Sequence, residues 1–212
     1  MSEEAKATQE VAKFGMKALD SGDKLGSFLS KVFGTVPSDV VGVLGGDLLH
    51  HVRIRNAVKL AQRTDEILRA RGVTSEPMSP SVAIPILTAA QDETREDLRE
   101  LWARLLANGM DPERRSLIRQ SIVDAIRAFD PLDAVLLLKL SELSIGPGRS
   151  ISLEGLEGSL NLTSDEFELS ILNLNRLHCV GGLGVKDETY GRITSSLTLK
   201  LLGREVIRAT SL

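Results

Sequence analysis

A chain of 212 residues is long enough for one or two domains with real cores, and its 42% hydrophobic and 26% charged content is that of an ordinary globular protein. Aromatic content is only 3%, so the core has to be built from Leu, Ile, Val and Ala. The net charge is −3, and neither half is a basic domain: residues 1–130 carry 18 bases and 19 acids, and residues 131–212 carry 8 and 10.

Cys179 is the single cysteine, which excludes an internal disulfide and fits a reducing cytosol. The opening MSEEAKATQE is polar and mixed in charge, unlike the basic-then-apolar plan of a secretory signal. No apolar run reaches the roughly 18 residues of a transmembrane helix. The expectation is a cytoplasmic protein, or one peripheral at the inner membrane.

Residues 1–46 read as a Gly-rich amphipathic leader that holds Phe14, Phe28 and Phe33. Phe28, Leu29, Val32 and Phe33 follow helical spacing, with Lys24 and Lys31 beside them. Such a stripe either docks on the rest of the chain or lies in a membrane interface, and Phe14, Phe28, Leu29 and Phe33 are the candidate membrane contacts. Gly22, Gly26 and Gly34 each weaken a free helix by roughly 1 kcal/mol relative to Ala, so the segment needs a partner surface.

Residues 47–128 read as a helical domain. Asp47–Arg71 is one long helix, with Asp47 as N-cap and Gly72 just past its end. Ile54, Ala57, Val58, Ala61 and Leu68 make its apolar face. Arg53, Arg55, Lys59, Arg63, Arg69 and Arg71 lie elsewhere, against Asp65 and Glu66. That basic face is either solvated or placed against phosphate or anionic lipid, with Arg53, Arg55, Lys59 and Arg63 as the candidate phosphate contacts.

Ser79 and Pro80 look like N-cap and N1 of the next helix, and Pro85 should start or kink its regular part. In DLRELWARLLANGMDPERR, positions Leu98, Leu101, Trp102, Leu105 and Leu106 form one apolar face, while Asp97, Arg99, Glu100, Ala103 and Arg104 take the other. Trp102 reads as a core anchor. Asn108 and Gly109 should end that helix in left-handed backbone, and Asp111 and Pro112 should open another that carries Leu117, Ile118, Ile122 and Ile126. The stretch is then a helix–helix corner and not a catalytic loop.

Residues 129–212 read as a winged-helix domain. Asp130 caps, Pro131 is N1, and Asp133 at N3 faces the free amides of DAVLLLKLSEL, a helix apolar nearly all round. A short helix, SLEGLEGSL, follows the loop SIGPGRS. Thr163 and Glu166 form a capping box that opens a helix with Phe167, Leu169, Leu172, Leu174 and Leu177 at its apolar positions. VGGLGV and RITSSLTL read as strands around the turn KDETYG, and KLLGREVIRAT closes as a helix. The fold class is therefore mainly α, a helical body followed by a C-terminal winged helix-turn-helix with a two-stranded wing.

Several of these stretches together resemble the Abi-alpha (abortive infection alpha) proteins of bacteria. They are PSVAIPIL, REDLRELWARLLANGMDP, FDPLDAVLL, and the tail pieces NLNRLHCV and LTLKLLGREVIRA. The resemblance runs over about residues 47–212 and implies a bacterial protein linked to phage defence. It carries no residue-level chemistry. One departure is His178-Cys179, where a Leu-Gly-type turn is expected after Arg176-Leu177.

No reaction is legible. His50 and His51 sit about 100° apart on a helix and would not chelate one metal together, and no Cys or His spacing matches a zinc site. His178-Cys179 lacks an orienting acid for thiol catalysis. Val180-Gly-Gly-Leu-Gly lacks the Lys and helix of a phosphate loop. No catalytic residue, cofactor site, metal site or small-molecule substrate is expected.

A DNA-reading helix would present bases, yet this one opens with Asp165, Glu166 and Glu168 and holds only Arg176. Sequence-specific DNA binding is not expected. The sequence favours a non-enzymatic antiphage component that acts through protein–protein contacts, with a protein partner or self-association. The alternatives are a membrane-active effector through residues 11–46 and a nucleic-acid-binding regulator.

Overall fold

The computed structural model describes residues 24–34, 50–143, 151–153, 156, 160, 162–181 and 196–212. In chain order they form α1 (24–33), α2 (His50–Ala70), α3 (Pro80–Asp92), α4 (Glu96–Met110), a 3-10 turn (Arg115–Leu117), α5 (Gln120–Arg127) and α6 (Pro131–Leu143). Then come β1 (Ile151–Ser152), α7 (Ser164–Arg176), β2 (Val180–Gly181), β3 (Ser196–Leu199) and α8 (Leu201–Ala209). The architecture is mainly helical with a small antiparallel sheet near the C-terminus. The expectations for Phe14, the Asp47 cap, the two-glycine helix flanking Leu156 and the KDETYG turn fall mostly or wholly outside the described residues.

α4 is the central element. It packs on α2, α3, α6, α8 and the 3-10 turn. Leu98, Leu101, Trp102, Leu105 and Leu106 are buried as their spacing predicts, and Trp102 is 1% exposed. Ala103, expected on the polar face, is also buried, because α2 lies there. Its small side chain permits close approach, and its carbonyl accepts from Thr64 Oγ1 at 3.5 Å.

The helix does not end at Asn108-Gly109. It continues to Met110 and stops at Asp111 in extended backbone, so neither residue is left-handed. Gly109 gives room to Met78: a Cβ there would come within 2.8 Å of Met78 Sδ, so a larger residue would require that flexible thioether to move. The helix expected after Pro112 also breaks in two. Asp111 accepts the Glu113 amide and starts a turn, the chain extends at Ile118 and Arg119, and α5 begins at Gln120. The extended step turns Ile118 inward beside Gly109. α3 begins at Pro80 and runs through Pro85; the carbonyl that loses its donor belongs to exposed Ser81, where water can replace it.

Gly72 closes α2 as expected. With φ 66° it lets Val73 N–H reach the Leu68 carbonyl at 3.1 Å and its own N–H reach Arg69 at 3.0 Å, a Schellman pair. β3 lies between β1 and β2, antiparallel to both, with Ile151 opposite Leu197 and Val180 opposite Leu199. α8 turns back onto α4, α5 and α6, so one apolar core runs from α1 to α8.

Candidate functional site

The outer face of α7 is where surface chemistry and exposed apolar area coincide. Thr163 fixes the start of the helix: its Oγ1 accepts the Glu166 amide at 3.3 Å, and Glu166 Oε2 accepts the Thr163 amide at 3.0 Å. The Thr163 backbone amide, followed by the Thr163 hydroxyl, which donates to Glu166 Oε2 at 2.8 Å, holds the Glu166 carboxyl below its usual range. The inner face is anchored by Phe167, Ile171 and Leu174 in the core.

Asp133 fastens α7 to the start of α6. Its carboxylate accepts from Asp130 N–H at 2.7 Å, Ser170 Oγ at 2.6 Å and Asn173 Nδ2 at 2.5 Å. The helix-opening role read from the sequence is thus joined by a tertiary one. A buried carboxylate with three donors is satisfied, and removing a donor would expose it to an uncompensated burial cost.

Leu169 and Leu172, expected on the core side, point outward and are 67% and 51% exposed. Periodicity explains this. At about 100° per residue, Phe167, Ile171 and Leu174 centre on one side of the helix, and Leu169 and Leu172 centre on the opposite one. Asp165 and Arg176 share the outer side and are exposed. Arg176 donates to neutral Asn173 Oδ1 at 2.6 Å, and among the described residues neither Asp165 nor Arg176 has an ion-pair partner.

The other sequence candidates fall elsewhere. Arg53 pairs with Asp92 at 2.7 Å, and Arg63 makes a two-pronged pair with Glu100 at 2.7 and 2.9 Å and reaches Glu66 at 3.1 Å. Glu100 also accepts from Arg104 at 2.8 Å. The Arg63 bonds, followed by those of Arg104, hold the Glu100 carboxyl below its usual range against the opposing effect of burial. Arg55 and Lys59 are exposed with no carboxylate partner among the described residues. A cleft of about 300 Å³ beside them is lined by Lys59, Arg63, Glu66, Glu96, Arg99 and Glu100, whose charges largely cancel in pairs.

Phe28, Leu29 and Phe33 are buried, with Leu25 and Val32. α1 lies along α2, joined to it by Lys31 to Asp65 at 3.1 Å, and is tied to the segment that leads into α3 by Met78 N–H, which donates to the Val32 carbonyl at 2.7 Å. Cys179 is buried, and burial, helped by the charge of Asp133, pushes its thiol up to about 12. It stays a neutral thiol at neutral pH. No group of three or more metal-ligating side chains occurs among the described residues, and no helix there is long and apolar enough to cross a membrane.

The profile of the abortive infection alpha family matches residues 55–190, from the first turns of α2 past β2. The chain belongs to the abortive infection alpha family. Comparison with curated proteins and with solved structures gives no match. The matched span of this Abi-alpha chain holds the central helix, the buried Asp133 junction and the whole outer face of α7.

One junction of this Abi-alpha chain escaped the sequence reading. Asn108, fully buried, donates to the Ala209 carbonyl at 2.7 Å and the Ser211 carbonyl at 3.2 Å. Arg71 donates to Asn108 Oδ1 at 2.6 Å and to Ser211 at 2.8 Å, and Arg114 reaches Ser211 at 3.2 Å. Asn108 is therefore the tie between the central helix and the chain's last turn. The only sequence signal was a polar side chain inside an apolar run.

Proposed function

We propose that this Abi-alpha protein is a non-enzymatic component of abortive-infection defence that works through protein–protein contact, with the outer face of α7 as the contact. The observation that carries this is the exposure of Leu169 and Leu172, flanked by Asp165 and Arg176, on the helix where a DNA reader would place bases. Residues 129–212 are taken as a winged helix: the order α6, β1, α7, β2, β3, α8, with β3 in the middle of the sheet, supports that reading. The carboxylates that open its α7 would be repelled by a phosphate backbone.

The membrane reading would require the buried α1 stripe to leave α2, and the nucleic-acid reading would rest on Arg55 and Lys59. The decisive experiment is phage plating on cells that express the protein or its Leu169→Asp, Leu172→Asp variant. Both sites are exposed, so the variant should fold and melt like the parent. Loss of protection supports the reading. Full protection by the folded variant removes it, and flotation with anionic vesicles would then test the membrane alternative.

A further inference from the structure

We propose that the outer face of α7 pairs with the same face of a second copy of this chain, antiparallel across a two-fold axis. This rests on the reading above that the face is a protein contact, and it names the partner. Asp165, Leu169, Leu172 and Arg176 fall at i, i+4, i+7 and i+11, which at about 100° per residue confines them to about 60° of arc. The order along the stripe is acid, Leu, Leu, base.

Laid antiparallel on itself, that order is self-complementary. Leu169 of each copy meets Leu172 of the other, and Asp165 of each copy meets Arg176 of the other. One two-fold axis thus produces an apolar centre and an ion pair at each end, as an isologous contact requires. Parallel packing would set acid on acid and base on base, so the charge pattern selects the antiparallel arrangement. Glu168, half-buried one turn beyond Asp165, lies on the flank where the incoming guanidinium arrives. Among the described residues neither Asp165 nor Arg176 has an ion-pair partner, and Arg176 bonds only the neutral Asn173 amide.

Size sets the strength. α7 has 13 residues and is about 20 Å long, so the contact belongs to the small, transient class below about 1,200 Å². A reversible dimer that responds to concentration is expected, which suits a component whose partnership follows its local accumulation.

Sedimentation velocity on the full chain over a wide concentration range tests this with charge swaps. The parent should show a monomer–dimer equilibrium. Asp165→Arg and Arg176→Asp, each alone, set like charges together at both ends and should weaken the dimer about tenfold. An equimolar mixture of the two variants should recover a dimer that holds one of each, and so should the chain with both substitutions. The doubly substituted chain also controls for any loss of helix stability from Asp165→Arg. A parent that is monomeric throughout, single swaps that dimerise like the parent, or a mixture that stays monomeric would each overturn the pairing. If pairing fails while Leu169→Asp, Leu172→Asp still abolishes phage protection, the face binds another protein and the functional reading stands. If protection also survives, both fall.

Discussion

His178 holds a left-handed backbone, φ 57°, at the end of α7. The position serves a purpose: Cys179 N–H reaches back to the Leu174 carbonyl at 2.9 Å and His178 N–H to Asn175 at 2.9 Å, the same closure that Gly72 gives α2. A side chain at that φ costs roughly 1–2 kcal/mol that glycine avoids. His178→Gly should therefore stabilise the fold by about 1 kcal/mol, read as a higher melting temperature. An unchanged or lower value would mean that the imidazole supplies a compensating contact. Asn108→Ala acts in the opposite direction. It removes the Nδ2 amide that donates to two carbonyls of the last turn and takes the Asn108 acceptor from Arg71 Nη1, while Arg71 Nη2 keeps the Ser211 carbonyl, a loss of about 2–3 kcal/mol in chemical denaturation. A cost near zero would show that the tie is redundant with Arg71 and Arg114.

Between elements, charge pairs do the fastening on the wet side of the core. Glu100 joins α4 to α2 through Arg63. Its folded carboxyl lies below the unfolded value, so its contribution is fully present above about pH 4.3 and is lost as pH falls through the folded value. Glu100→Gln should lower stability at pH 7, by about 1 kcal/mol after solvent screening, and should make the acid loss below about pH 4.3 shallower. Parallel acid limbs in the two proteins would contradict this. α1 is held by its apolar stripe, each Phe contributing on the order of 1.5–3 kcal/mol. Phe28→Asp with Phe33→Asp should free α1, and amide exchange across residues 24–33 should rise to that of open chain while α4 stays protected. Unchanged exchange in α1 would place its anchorage elsewhere.

Local signals were the ones legible in the sequence. The Trp102 stripe, the Gly72 closure and the Thr163–Glu166 box depend on neighbours within a turn or two. The family was legible too, through stretches that turned out to be the central helix and the Asp133 junction. What stayed hidden was set by distant segments. Asn108 looked like a helix end because its true partners lie about a hundred residues away, at Ala209 and Ser211. Ala103 looked exposed because nothing local announces that α2 covers it. Leu169 and Leu172 looked like core because hydrophobicity does not say which of two leucine stripes faces inward; only the angular separation from Phe167, Ile171 and Leu174 does.

At the scale of the molecule, the continuous core leaves α7 with two large apolar side chains outward, the one helix among the described residues that exposes such a pair, and that face is the proposed place of defence contact. Saturation substitution of the whole chain under phage challenge, with folded abundance scored in parallel, tests it most directly. Substitutions that keep abundance but lose protection should concentrate at Asp165, Leu169, Leu172 and Arg176. Concentration at Arg55 and Lys59, or an even scatter over the surface that spares α7, would contradict it.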